Sequence, residues 1–186
     1  TNQIDFDEEV VFTARRKLYD IARDKDERPF FMTVSLTHPH DPYAIHEDYW
    51  NRYEGVDIPL PTVSRADVEQ DPHSERLRHV CDLDASEVTD EMIRTARRAY
   101  FGSISFVDDQ FAAILDTLRE TGMADNTVVI VCGDHGDMLG ERGLWYKMHY
   151  FEAAARIPLI IHAPGRYRAA AVDASVSLVD FCLLYT

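Results

Sequence analysis

The sequence predicts an α/β protein with a mostly parallel central sheet that helices cover on both faces. Two observations favour this class. Short runs that are apolar throughout alternate along the chain with segments of helical periodicity. Strands that are apolar on both sides are typical of a sheet buried between two helical layers. The length, 186 residues with 46% hydrophobic side chains, is that of one ordinary globular domain.

Two segments have the spacing of amphipathic helices. In residues 5–24, apolar side chains recur every three or four positions and acidic residues crowd the start, where they face the positive end of the helix dipole. Residues 89–121 show the clearest helical pattern of the chain, and Gly122 follows as a stop signal. Gly102, inside this helix, indicates a bend or a close packing contact.

Three apolar runs predict buried strands, at residues 30–36, 127–132 and 158–162. The first run ends in a loop with two prolines, residues 37–43, and the second ends in the polar cluster at residues 133–136. Ligand sites of open α/β sheets lie beyond the carboxyl ends of the strands. These two loops are therefore the places where a functional site is expected.

Residues 44–88 show little periodicity and are predicted to be a loop excursion outside the sheet, solvated over most of its length. Aromatic residues cluster around its start, at Tyr43, Tyr49, Trp50 and Tyr53. The simpler interpretation is that they pack within the loop. The alternative is a cage that binds a quaternary ammonium group through cation–π contacts.

Composition excludes several classes of function. The net charge of −14 argues against a nucleic-acid partner, which needs clustered basic residues. This acidity indicates solubility or, alternatively, attraction of cationic ligands and divalent metals. No apolar stretch approaches the roughly 18 residues of a membrane span. The three cysteines, Cys81, Cys132 and Cys182, lack the paired spacing of a zinc site and fit a reducing compartment.

One short motif carries metal chemistry. Asp134 and His135 stand side by side at the end of a predicted strand, where both can turn toward one cation, and Gly136 allows close approach of the backbone. A glycine-rich loop then leads to Lys147, which can return to the same place as a point charge for a substrate anion. Each feature alone is weak, because a turn with a histidine and a surface lysine are ordinary.

With their neighbours, these residues resemble the formylglycine-dependent sulfatases of the alkaline-phosphatase superfamily, and most closely the choline sulfatases. The resemblance covers most of the chain from residue 5 to about residue 180, in the order and spacing of that family, and it implies an alkaline-phosphatase-like fold. Four blocks carry it: SLTHPHDPY (residues 35–43), RRAYFGSISFVDDQ (97–110), GDHGDMLGERGLWYK (133–147) and RIPLIIHAPG (156–165).

The resemblance implies roles for individual residues. Asp134 and His135 are expected to bind one divalent cation, Ca²⁺ first, while the imidazole ligand leaves Mg²⁺ or Mn²⁺ open. Lys147 is expected to bind the sulfate oxygens, and His40 to contact the ester near its bridging oxygen, so both are candidate catalytic and substrate-binding residues. His38 ranks second as a substrate ligand, since in an extended chain it would share the side of His40.

One element of the family pattern has no counterpart. The nucleophile of these sulfatases is a cysteine in Cys-x-Pro-x-Arg that becomes formylglycine, and none of the three cysteines has that setting. The resemblance puts this motif, and the aspartates that complete the metal site, upstream of Thr1, and a carboxyl-terminal subdomain downstream of Thr186. Residues 1–186 are therefore predicted to be part of a sulfatase catalytic domain that is inactive by itself.

The resemblance implies a sulfatase that hydrolyses a small-molecule sulfate monoester, choline O-sulfate first, to choline and sulfate. Two alternatives remain open. One is a phosphomonoesterase, phosphodiesterase or phosphonate hydrolase of the same superfamily, and the other is a non-catalytic remnant that binds without turnover. The resemblance to choline sulfatases also implies a cytoplasmic location, and it leaves open whether the full-length parent forms a homo-oligomer.

Overall fold

The computed structural model of the protein describes residues 2–26 and 28–180. Cys182 and the rest of the apolar carboxyl terminus lie outside these residues. Three short 3₁₀ turns, at Arg65–Asp67, Ala124–Asn126 and Glu141–Gly143, lie between the main elements. The helices and strands, in chain order, are α1 (Gln3–Arg23), α2 (Glu47–Asn51), α3 (Pro72–Val80), α4 (Asp90–Glu120), β1 (Val129–Cys132), α5 (Glu152–Ala155) and β2 (Leu159–His162).

Helix α1 confirms the first predicted helix. The side chain of Asn2 caps it by accepting the N–H of Ile4 at 2.8 Å. Its buried residues form a stripe at helical spacing, and Leu18 within it is only 2% exposed. This face packs against α4, where Arg15 Nε donates to Thr117 Oγ1 at 2.9 Å.

Helix α4 confirms the second predicted helix and is the platform on which α1 and α2 pack. Thr89 caps its start and Gly122, at φ +72°, follows its end. Gly102 marks a close contact, because a Cβ there would stand 2.4 Å from Ile45 Cδ1 and 3.1 Å from the carbonyl oxygen of Tyr49.

Among the described residues, no helix is both long and apolar enough to cross a membrane.

Strands β1 and β2 confirm two of the three predicted strands. They pair antiparallel, with Val129 opposite His162 and Cys132 opposite Leu159, so their relative direction is opposite to the predicted one. The pair is also less buried than predicted, since several of its apolar side chains remain exposed. The prediction of a third strand is wrong: residues 30–36 belong to no β-strand of the described chain.

The excursion at residues 44–88 contains more structure than predicted. Helix α3 starts where the Asp71 side chain accepts two backbone N–H groups and Pro72 occupies the first helical position. Leu77 and Arg78 of this helix are buried, so the prediction of a mostly solvated loop is wrong there. The helix is too short for apolar periodicity to reveal it, although its capping signals are present in the sequence.

The aromatic residues near the start of this excursion form no cage. Their rings pack separately against α4 and not within the loop, so the simpler interpretation is wrong about their packing partner, and these contacts give the alternative of an ammonium cage no support. The contacts on α4 are Tyr43 with Tyr100, Tyr49 with Phe106, Tyr53 with Phe101 and Trp50 beneath the guanidinium of Arg98.

Replacing Leu18 by alanine tests the packing of α1 on α4. We expect the Leu18→Ala variant of the complete gene product to lose about 2–5 kcal/mol of unfolding free energy, because the change leaves a cavity in a closed interface. Denaturation by urea measures the loss. Phe12→Ala is the matched control, since Phe12 lies on the same helix but is 65% exposed. Equal losses in the two variants would contradict this packing.

Candidate active site

Three predicted site residues from separate parts of the chain lie together. Lys147 Nζ donates a hydrogen bond to His40 Nε2. The ring of His135 lies edge-on to that of His40, with 5.9 Å between the ring centroids. All three side chains are partly exposed, so a ligand can reach them. The convergence brings an ammonium group and two imidazoles together in one partly exposed place.

The orientation of His40 is fixed by its neighbour in the sequence. Its Nδ1 lies 3.0 Å from the backbone oxygen of Asp41 and 2.9 Å from the Asp41 carboxylate. Both partners are acceptors, so Nδ1 carries the hydrogen. Nε2 faces the ammonium of Lys147, which can only donate, so Nε2 presents its lone pair in this state.

The donor atoms of Asp134 and His135, the two predicted metal ligands, lie close together. His135 Nδ1 donates to the carbonyl oxygen of Gly136 at 2.8 Å, which leaves the lone pair of Nε2 free for a metal. The Asp134 carboxylate is 86% exposed, and its Oδ2 lies 3.7 Å from His135 Nε2. Both donor atoms can therefore bind one divalent cation. A backbone carbonyl behind a metal-binding imidazole is the usual partner of such ligands.

These two residues account for only part of a ligand set. Within residues 2–26 and 28–180, no group of three or more His, Cys, Asp or Glu side chains could hold a metal ion. Calcium takes six to eight oxygen ligands, and magnesium takes six. A cation at Asp134 and His135 therefore needs further ligands, from other residues or from water.

The glycine after the Asp-His pair is required by packing. A Cβ on Gly136 would stand 2.0 Å from the carbonyl oxygen of Ala153, so no other residue fits without a backbone shift. The Gly136 N–H donates to the carbonyl oxygen of Ala154 at 2.7 Å. These contacts dock the start of the glycine-rich loop, residues 133–147, against α5 and so set the direction from which His135 enters the site.

The rest of the glycine-rich loop is held by a small buried core and by hydrogen bonds to α3 and to residues 62–63. Met138 and Leu144 are buried, 1% and 0% exposed, and form the small core beneath the loop. The buried guanidinium of Arg78, from α3, donates to the carbonyl oxygen of Gly143 at 2.6 Å. The Glu141 carboxylate accepts two backbone N–H groups from residues 62–63. Lys147 therefore projects from a fixed loop.

His38 does not lie beside His40, as the sequence predicted. Its side chain is fully buried, with Nδ1 2.6 Å from Asp7 Oδ2 and Nε2 2.9 Å from the carbonyl oxygen of Ala44. The extended-chain argument fails because the chain turns here: the His40 N–H donates to the carbonyl oxygen of Thr37 at 3.1 Å. Both ring nitrogens of His38 face acceptors in the core, so the prediction that it shares the side of His40 is wrong.

Sequence reasoning missed the partner of His38. Asp7 is fully buried, and its carboxylate accepts the backbone N–H of Thr37 at 2.7 Å and of His38 at 2.9 Å, besides the His38 ring. A signal was available, because position 7 falls on the same helical stripe as the buried residues Val11 and Ala14. A carboxylate on an apolar stripe is buried with partners, since an unpaired buried charge is very costly.

The model of the sulfatase family matches residues 5–182. The chain belongs to the sulfatase family. This sulfatase chain is 48% identical to choline-sulfatase from Rhizobium meliloti over 169 residues, and the matched segment covers 89% of the chain. It is 31% identical to an arylsulfatase from Clostridium perfringens over 147 residues, and that matched segment covers 78% of the chain. The predicted family resemblance is confirmed.

The predicted fold class is also confirmed. A phosphonate monoester hydrolase from Silicibacter pomeroyi matches 81% of the sulfatase chain with 30% identity and a TM-score of 0.69. The fold is therefore the alkaline-phosphatase-like fold of sulfatases and phosphonate hydrolases. The chain spans about a third of the length of the curated relatives, 33% and 30%, and 32% of the hydrolase structure.

Removing the Asp7 carboxylate tests its role beneath the site. We expect Asp7→Ala to cost about 3–5 kcal/mol of unfolding free energy, because it leaves the buried His38 ring and two backbone N–H groups without an acceptor. Asp5→Ala, at an exposed position of the same helix, should cost less than about 1 kcal/mol. Urea denaturation of the complete gene product compares the two, and a small loss in both variants would contradict the assigned role.

Proposed function

We propose that this chain is part of the catalytic domain of a sulfatase that hydrolyses a sulfate monoester, with choline O-sulfate as the first candidate substrate. The observation that carries the proposal is the convergence of the partly exposed side chains of His40, His135 and Lys147. Membership of the sulfatase family supports the reaction, and the 48% identity to a choline-sulfatase supports the substrate.

The chemistry requires positive charge and a proton donor in one place. A sulfate monoester is an anion, and its hydrolysis develops further negative charge on the leaving oxygen. The Lys147 ammonium donates one of its three N–H groups to His40, and the other two can donate hydrogen bonds to sulfate oxygens. His40 Nε2 faces the same position, where it stabilises the bridging oxygen or, once protonated, delivers a proton to it. Asp41 holds the opposite side of the ring and keeps Nε2 directed at the substrate.

Asp134 and His135 contribute two ligands for a divalent cation, for which Ca²⁺ is the first candidate and Mg²⁺ and Mn²⁺ the others. Such a cation, when bound, neutralises charge on the sulfate group. The free Nε2 of His135 and the exposed carboxylate of Asp134 fit this role. The nucleophile expected for this family, a formylglycine, has no precursor motif in the 186 residues. We therefore propose that the 186-residue chain by itself hydrolyses no sulfate ester.

A phosphonate monoester hydrolase is the second candidate. Its support is the likeness to the Silicibacter pomeroyi enzyme, which is 30% identical with a TM-score of 0.69. Sulfate esters and phosphonate monoesters both present a tetrahedral anion to Lys147 and His40, so the site described above accepts either. Assays of the complete gene product with choline O-sulfate and with an aryl phosphonate monoester distinguish them. A higher kcat/KM for the phosphonate would overturn the sulfatase proposal.

Alanine substitutions test the two roles directly. We expect His40→Ala to lower kcat/KM about 10²–10⁴-fold, because it removes the group at the leaving oxygen, and Lys147→Ala to lower it at least about 10²-fold. Steady-state kinetics of the complete gene product on choline O-sulfate measure both. Lys17→Ala, on the exposed face of α1, removes a lysine away from the site and should leave kcat/KM unchanged. Wild-type rates in the Lys147→Ala variant would exclude the proposed role.

Metal removal tests the assignment of Asp134 and His135. Dialysis against a chelator should abolish activity, and Ca²⁺, Mg²⁺ and Mn²⁺ added back separately identify the metal. We expect Asp134→Asn to bind the activating metal at least about tenfold more weakly in calorimetry, because it replaces a charged ligand by a neutral amide. Asp125→Asn, at an exposed carboxylate elsewhere, is the control. Unchanged metal affinity in Asp134→Asn would contradict the assignment.

A further inference from the structure

A single carboxylate connects the two loops that carry the candidate catalytic groups. We propose that Asp137 is a positioning residue that holds His40 and Lys147 at their working separation without touching the substrate itself. This inference rests on the proposed function, because it concerns the same site. It adds a residue for which neither the sequence motifs nor the proposed mechanism gave a role.

The hydrogen bonds of Asp137 reach both loops. Its Oδ2 accepts the phenolic O–H of Tyr43 at 2.8 Å, and Tyr43 closes the loop at residues 37–43 that carries His40. Its Oδ1 accepts the backbone N–H of Leu139 at 2.9 Å and of Tyr146 at 3.2 Å. Tyr146 immediately precedes Lys147. The carboxylate thus links the segment after His40 to the residue before Lys147.

Both tyrosines held by Asp137 have unfavourable backbone conformations. Tyr43 has φ +57° and Tyr146 has φ +67°, in the left-handed region that residues with a bulky side chain rarely adopt. Such conformations persist where surrounding contacts enforce them, and they cluster at functional sites. The Asp137 carboxylate supplies a contact to each of these residues. Without it, either loop can relax toward ordinary backbone geometry and carry its catalytic group away.

Burial keeps the Tyr43 hydroxyl protonated, so that it continues to donate its hydrogen bond to Asp137. The Tyr43 ring packs edge-on against Tyr100 of α4, with 5.8 Å between the ring centroids. Burial raises the pKa of the Tyr43 phenol, and the charge of Asp137 and its hydrogen bond raise it further. Burial and the same charge raise the pKa of Tyr100 to about 12. The Tyr43 hydroxyl therefore remains a hydrogen-bond donor over the whole working range of pH.

Tyr43→Phe in the complete gene product removes this one hydroxyl and keeps the ring. We expect kcat for choline O-sulfate to fall about tenfold or more with a small change in KM, since small misplacement of catalytic groups is costly. Tyr49→Phe is the matched control, because the Tyr49 hydroxyl donates a similar bond, 3.0 Å long, to Asp109 of α4, outside the loops at residues 37–43 and 133–147. It should leave kcat within about twofold of wild type.

A double-variant cycle separates positioning from general destabilisation. If Tyr43 acts through His40, then Tyr43→Phe in a His40→Ala background should change the residual kcat by less than about twofold. A merely structural contact would lower kcat by the same factor in both backgrounds.

Asp137→Asn should recover part of the activity lost in Asp137→Ala, because its amide oxygen still accepts the backbone N–H groups. Full additivity in the cycle, or equal kcat in the Tyr43→Phe and Tyr49→Phe variants, would overturn the inference.

Binding of inorganic sulfate makes the inference testable without turnover. We expect calorimetry to show that the complete gene product binds inorganic sulfate. Lys147→Ala should abolish this binding, Tyr43→Phe should weaken it about threefold or more, and Tyr49→Phe should leave it unchanged. If the complete gene product shows this pattern but hydrolyses no sulfate ester, the proposed function is overturned and the positioning role is supported. Equal sulfate affinity in wild type and Tyr43→Phe would overturn the positioning role even if the sulfatase activity is present. Absence of sulfate binding in the wild-type protein would overturn both.

Discussion

The site depends on the buried carboxylate of Asp7. It joins α1 to the start of the loop at residues 37–43 through two backbone N–H groups and the ring of His38. Helix α1 is in turn packed on α4. The loop therefore takes its position from helices α1 and α4, although the segment before it belongs to no strand of the described chain. His40 is two residues beyond this anchor, so the same interaction fixes the point from which its imidazole enters the site.

The elements that could be predicted are those whose signal is local. The two long helices and both observed strands follow from apolar spacing, which depends on each segment alone. The direction of strand pairing and the absence of a strand at residues 30–36 could not be predicted, because a ladder depends on which segments meet and apolar runs do not encode that. Helix α3 lies between these cases: its capping signals at Asp71 and Pro72 are local, but they are weaker than periodicity.

The candidate site divides in the same way. The family resemblance implied that His40, His135 and Lys147 belong to one site, and they lie together. Sequence reasoning failed for the residues that support them. His38 was expected beside His40 because extended geometry was assumed, and one turn at Thr37 removes that assumption. Asp7 and Asp137 were missed because their partners lie 30 or more positions away in the chain or on two separate loops.

The acidity of the chain acquires a structural meaning from these contacts. Composition alone suggested that a net charge of −14 serves solubility or attracts cations. Several carboxylates instead accept hydrogen bonds from segments that have no ladder or helix to satisfy their backbone N–H groups. Asp7 does so for residues 37–38, Glu141 for residues 62–63 and Asp137 for two residues of its own loop. Irregular loops need such acceptors, because a buried N–H without a partner is costly. Two of these carboxylates, Asp7 and Asp137, therefore hold in place the loops that carry His40 and Lys147.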